Sequence, residues 1–186
     1  MNKNNTILFL IATVFVASFS RLIPHLPNFT PIIAMSLMAG SVIQNKRLSL
    51  LVVLLSMFVS DILTIHFINY NFSTYLGYFF SLSALSVYAS VTAIVLFGEK
   101  LVSFKPSAKL ALAGVSAGLF FWLITNFTLW ISGTMYPTNG FGLSTCFAMA
   151  LPFLSNQLIG DLLFTLSFAG LFALMQQTKL LQTQKV

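Results

Sequence analysis

The chain has 186 residues, of which 58% are hydrophobic and only 6% charged, with twenty Phe and a mean hydropathy of +0.93. A soluble domain carries about 25% charged residues, so nine Lys and Arg with three Asp and Glu cannot coat a water-facing surface. This excludes a soluble enzyme and a disordered chain, and a single cysteine excludes an internal disulfide scaffold. The composition specifies an integral membrane protein: one transmembrane domain over residues 1–186, with no room for an extramembrane one. The pI of 9.7 reflects loop topology and not nucleic-acid binding, because no basic stripe lies on a polar domain.

Apolar runs fall at residues 7–23, 31–43, 48–68, 72–97, 110–131 and 154–175. They are continuous, without strand alternation, and predict an all-α bundle of six transmembrane helices. The second run is short for a span and opens at Pro31, a favourable first helical residue. It is expected to be tilted, broken or shielded by its neighbours. Residues 132–152 mix Gly, Pro and Asn with an apolar piece at 143–151. This predicts a long outer loop folding back on the bundle, with a short helix before Pro152.

Charge orients these elements. With six spans and both termini cytoplasmic, Lys3, Lys46, Arg47, Lys100, Lys105, Lys109, Lys179 and Lys185 lie inside and only Arg21 outside, as the positive-inside rule requires. Lys3, the apolar run and the small residues from Ala17 to Ser20 also fit a signal peptide. The lack of a polar break before Arg21 favours a retained span. The address is the bacterial inner or plasma membrane. Small residues recur at four-residue spacing, as in Gly114/Gly118, Ser36/Gly40, Ala89/Ala93 and Ala169/Ala173, a pattern that lets helix backbones approach in lipid. Packing within the bundle is the expected use of Gly114 and Gly118, with self-association the alternative.

In this topology nearly every intramembrane polar group falls in the outer half. Asp61 lies in the third span, Asn126 in the fifth, and Asn156, Gln157 and Asp161 in the sixth. Arg21 and His25 close the first span, Asn28 precedes the second, and His66 ends the third. A carboxylate within the bilayer costs at least about 2.5–3.5 kcal/mol on insertion scales, so such residues face a cavity or a partner. The clustering points to an outward-facing pocket rimmed by Arg21, Asn28, Asp61, Asn126, Asn156 and Asp161. The alternative is hydrogen-bonding glue between helices. Trp122 and Trp130 flank Asn126 on one face of the fifth span, an arrangement for stacking and hydrogen bonding to a flat polar ligand or for lipid anchoring. Asn28-Phe29-Thr30 recurs as Asn126-Phe127-Thr128, a weak echo of the kind found in inverted-repeat transporters.

Catalytic motifs are lacking. Ser60-Asp61 and Leu158-Ile159-Gly160-Asp161 miss the Tyr-Asp and Gly-x-Gly-Asp of intramembrane aspartyl proteases. Gly142-Leu143-Ser144 has only span-end histidines as bases. His25, His66 and Cys146 never come within metal-motif spacing, no phosphate loop is present, and no cofactor is implied.

Several stretches taken in order carry a resemblance: Arg21-Leu-Ile-Pro-His-Leu-Pro-Asn-Phe-Thr-Pro31, Ser60-Asp61, Thr125-Asn126-Phe127 with Trp130, Gly133-Thr-Met-Tyr-Pro137, Gly142-Leu143, Cys146, and Pro152-Phe153 with Asn156 and Gly160-Asp161-Leu162. From Arg21 to Gly170 the chain resembles an uncharacterised family of small bacterial six-span proteins likened to the substrate-binding (S) components of energy-coupling-factor (ECF) vitamin transporters. The resemblance implies a six-helix bundle that binds a small nutrient from outside, energised by a T component and two ATPases. Span one carries Thr13-x-x-x-Ala17 where docking S components show Ala-x-x-x-Ala, so action without that module stays open. In one such group that works alone a cysteine contacts corrin cobalt, which makes Cys146 either a ligand or an inert small apolar residue. The expected function is therefore small-molecule binding for uptake. The alternatives are a membrane scaffold or assembly protein and an intramembrane enzyme.

Overall fold

The computed structural model describes residues 26–68, 79–101 and 105–183, together with Ala12, Val16, Ser20 and Gly77. Five α-helices and no strand form among these residues: α1 Ile32–Val42, α2 Lys46–Ile68, α3 Leu82–Leu101, α4 Ala108–Ile131 and α5 Gly140–Thr183. Within α2, α4 and α5 lie segments long and apolar enough to cross a membrane, and only 28%, 22% and 33% of their most apolar windows is buried inside the molecule. The remaining apolar surface faces outward, as Leu51, Leu112, Phe141, Leu151 and Leu163 do. A solvent of hydrocarbon is the environment in which such a surface is stable, so this is a membrane protein. The expected first span, 7–23, lies outside the described residues except for Ala12, Val16 and Ser20, all three helical.

Helix α1 has only 11 residues, about 16 Å of rise, half a bilayer. Every residue from Ile33 to Gly40 is buried, as expected for a helix that is apolar all round. It is shielded by its neighbours. Ala34, Met35, Met38 and Ala39 of α1 form one core with Val53 and Met57 of α2, Val91 and Val95 of α3, Leu110 of α4 and Phe168, Ala169 and Phe172 of α5. Gly40 makes this possible, because a Cβ there would overlap the Val95 carbonyl. Ser41 Oγ donates to the Gly98 carbonyl at 3.2 Å and ties the same α1–α3 crossing.

Helix α3 starts at Leu82; the predicted onset of the fourth span at residue 72 lies outside the described residues. Ser81 precedes it, and its Oγ accepts from Ala84 N at 3.1 Å, an N-cap bond that marks the start. Helix α4 is capped in the same way by Ser107, whose Oγ accepts from Leu110 N at 3.2 Å.

The clearest departure from expectation follows α4. No long outer loop joins the last two spans. A turn of residues 132–139 leads directly into α5, a single helix of 44 residues from Gly140 to Thr183 with Pro152 inside it. Asn139 starts the helix: its Oδ1 accepts from Gly142 N at 2.8 Å and its backbone oxygen from Leu143 N at 2.9 Å. Gly142 is needed there because a Cβ would overlap the Pro137 carbonyl. Pro152 was expected to end a helix because it lacks an N–H. In a bilayer the alternative, bare backbone, is costlier than one lost hydrogen bond, so the helix continues through it.

Helices α4 and α5 form an antiparallel hairpin whose register is legible from its contacts. Trp130 Nε1 donates to the carbonyls of Pro137 (3.2 Å) and Asn139 (3.3 Å). Cys146 Sγ donates to Asn126 O at 3.5 Å, and Trp122 Nε1 to Ala150 O at 3.3 Å. Gln157 Nε2 donates to Gly118 O at 2.9 Å, and Gly114 lies against Thr165.

Candidate functional site

The N-terminal ends of α1 and α3 converge with the C-terminal half of α4 and the middle of α5 around a cavity of about 350 Å³. Its polar lining comes from Asn28, Thr30, Ser83, Thr125, Asn126, Gln157 and Asp161, and its apolar lining from Ile32, Ile33, Val87, Phe121 and Leu129. The lysine-bearing helix ends, Lys46 and Arg47 of α2 and Lys109 of α4, lie at the other end of the bundle.

Local structure explains how each polar group arrives. Asn28 has φ +63, the left-handed region that Asn tolerates better than most residues. Phe29 N then donates to Leu26 O at 3.0 Å, closing a turn before α1. Phe29 packs at a tilt against Phe164, ring centroids 5.2 Å apart, and abuts Gly160, where a Cβ would come within 3.1 Å of its ring. The turn is thereby clamped to α5, bringing Asn28 and Thr30 to the cavity. On α4, Asn126 Nδ2 donates to Trp122 O at 2.8 Å, which leaves the amide oxygen as the acceptor of this side chain.

Asp161 is the only charged residue among the described residues of the lining. It is 1% exposed, and its Oδ2 is buried with no hydrogen-bond partner. Gly118 admits it, since a Cβ on Gly118 would overlap that same oxygen. Gln157, one turn earlier and 4% exposed, donates through Nε2 to the same Gly118, at its carbonyl oxygen. One turn later the buried Thr165 Oγ1 also lacks a partner. A buried carboxyl oxygen without a donor is a costly arrangement, and it borders a cavity large enough for a ligand.

Three of the eight sequence-derived candidates, Asn28, Asn126 and Asp161, therefore meet in one cavity. Four do not line it. Asp61, on α2, accepts from Tyr88 OH at 2.8 Å. Trp122 is buried, edge-on to Phe147 at 5.1 Å, and bound to Ala150 O. Trp130 braces the α4–α5 turn through Pro137 and Asn139. Asn156 gives way to Gln157, because one residue turns a helix by about 100° and only Gln157 faces α4. Arg21 lies outside the described residues, as does His25. Thr30, Ser83 and Thr125 were not anticipated, because hydroxyls can satisfy themselves on their own helix and give no polarity signal in sequence.

Cys146 sits in the second turn of α5, not in an outer loop. It is 1% exposed, donates to Asn126 O, and is absent from the cavity lining. The recurring Asn28 and Asn126 both reach the cavity, one from a turn and the other from within a helix. Among the described residues no three His, Cys, Asp or Glu side chains gather to hold a metal.

No curated protein and no solved structure matches the chain. A family match does exist, and it covers residues 1–183, almost the whole sequence: the chain belongs to DUF6580, a family of unknown function.

Proposed function

We propose that this chain is the solute-binding component of a small-molecule uptake system in the bacterial plasma membrane, with its pocket open to the outside. The observation that carries the reading is the cavity of about 350 Å³ bordered by Asp161, whose buried Oδ2 has no partner. Ligand sites run from about 300 to 1,000 Å³ and combine an apolar wall with a few convergent polar groups. Among the described residues the lining offers amides, hydroxyls and one carboxyl. A ligand that donates hydrogen bonds complements these acceptors, among them the Asp161 carboxyl and the Asn126 amide oxygen. The resemblance to S components of ECF transporters supports a vitamin-like solute. It also supports partnership with a T component and ATPases, since the sequence has no phosphate-binding loop of its own.

A thermal-shift screen of the detergent-solubilised protein against vitamins and corrinoids tests this. One compound is expected to raise Tm by mass action on the folded state. Asp161→Asn and Asn126→Ala should each abolish the shift while the unliganded Tm and helical content persist. No shift across the panel, or a shift that both variants keep, overturns the proposal. Co-purification with a stable protein partner and no ligand effect would favour a scaffold instead.

A further inference from the structure

A second concavity, about 540 Å³ in volume, opens between α1, α3 and α4 at the lysine-bearing end of the bundle. Leu37 and Ile94 floor it; both are buried in a separate small core. Phe97 of α3 and Leu112 and Phe120 of α4 wall it and are 57%, 66% and 41% exposed. The groove stays open between them because Ala93, Ala113, Ser116 and Ala117 are small. Lys109 is the only charged residue among the described residues of the lining.

Three properties of this groove define its occupant. It is lined by apolar and small side chains apart from Lys109. From Lys109 to Phe120 it follows α4 for about 16 Å of rise, the depth of one leaflet in a hydrocarbon core of about 30 Å. The charge at its mouth is also uncompensated by the helix that bears it. Lys109 stands in the first turn of α4, the exposed Lys105 lies just before it, and that first turn has no acidic residue. Cations at a helix N-terminus add to the positive end of the helix dipole, which favours an anion. Basic pockets between spans on the cytoplasmic side are seats for anionic headgroups.

We propose that this groove seats an anionic phospholipid. One acyl chain lies along Leu37, Ile94 and Phe97 against α4, and the phosphate rests on Lys109 and Lys105 at the start of α4. This assignment is independent of the cavity described above, at the opposite end of the bundle.

The test compares phosphatidylglycerol, phosphatidylcholine of the same acyl chains, and glycerol 1-phosphate added to the purified full chain in detergent. Tm is read by thermal shift, and retained lipid is counted by native mass spectrometry. Phosphatidylglycerol is expected to raise Tm by a few degrees more than phosphatidylcholine and to be retained at one per chain. Lys105→Ala combined with Lys109→Ala should erase that preference while leaving Tm in phosphatidylcholine unchanged, since both side chains are exposed. The corresponding double Arg variant should keep the preference. Ala113→Phe, which fills the groove, should lower retention with both lysines intact. Equal effects of the two lipids, a preference that survives the double Ala substitution, or a full shift from glycerol 1-phosphate alone would each overturn the proposal.

Discussion

At the scale of single residues the decisive pairing is Gly118 with Asp161. A glycine on α4 lets a carboxyl on α5 approach the helix backbone, with Gln157 bound to the carbonyl of that same glycine. Gly118→Ala should therefore destabilise the protein by about 1–3 kcal/mol, the usual cost of overpacking. In an Asp161→Ala background the same change should cost much less, because its clash partner is gone. Chemical or thermal unfolding of the four proteins measures this coupling. Additive effects would show that Gly118 and Asp161 do not meet. The sequence made half of this pair legible, since an aspartate within an apolar run must face a cavity or a partner. It did not distinguish Asn156 from Gln157. Both are amides at the same depth, and only the rotation of α5 about its axis separates them.

Among the elements, α5 is where local signals and the membrane disagree. Pro152 reads as a terminator and Gly140, Gly142 and Pro137 as loop, yet the helix runs from Gly140 through Pro152. The real start signal was the asparagine at 139, an N-cap residue hidden among turn formers. Asn139→Ala should cost about 1 kcal/mol by leaving the Gly142 amide without its side-chain acceptor. Asn139→Asp should recover most of it. Equal losses in the two variants, read as Tm shifts in one detergent, would contradict the capping role. The boundaries of α2 and α4 were far better predicted, because each is a continuous apolar run with charged or capping residues at its start. For α1 the burial was legible too, as a run apolar on every side and too short to cross alone.

For the whole molecule the fold separates two chemistries. Polar groups without formal positive charge line the cavity at one end of the described bundle, and Lys46, Arg47, Lys105 and Lys109 mark the other. Single cysteines at Thr138 and at Lys105, in a Cys146→Ser background, should therefore report opposite sides of the membrane. An impermeant maleimide applied to intact cells should label Thr138→Cys and spare Lys105→Cys until the cells are opened. Labelling of both positions, or the reverse pattern, would refute the topology inferred from the lysines. The count of spans was legible only as far as apolar runs allow. Five helices appear among the described residues, and three contain stretches that meet the length and hydropathy of a crossing.

The hairpin register has a further consequence, for the lipid around the protein. At the cavity end α4 and α5 finish together, joined by residues 132–139. Because Thr165 lies opposite Gly114, the level of Lys109 falls near Gly170, where α5 is still apolar. Leu171 and Leu174 remain exposed there, and polarity begins only at Gln176. The change from apolar to polar sequence is thus staggered by six residues between neighbouring helices, about 9 Å along the axis. A flat bilayer surface cannot match both. Either the bundle leans so that the two levels coincide, or the leaflet thins beside α4 and thickens beside α5. The offset between α4 and α5 thus couples the lean of the bundle to the shape of the leaflet around it.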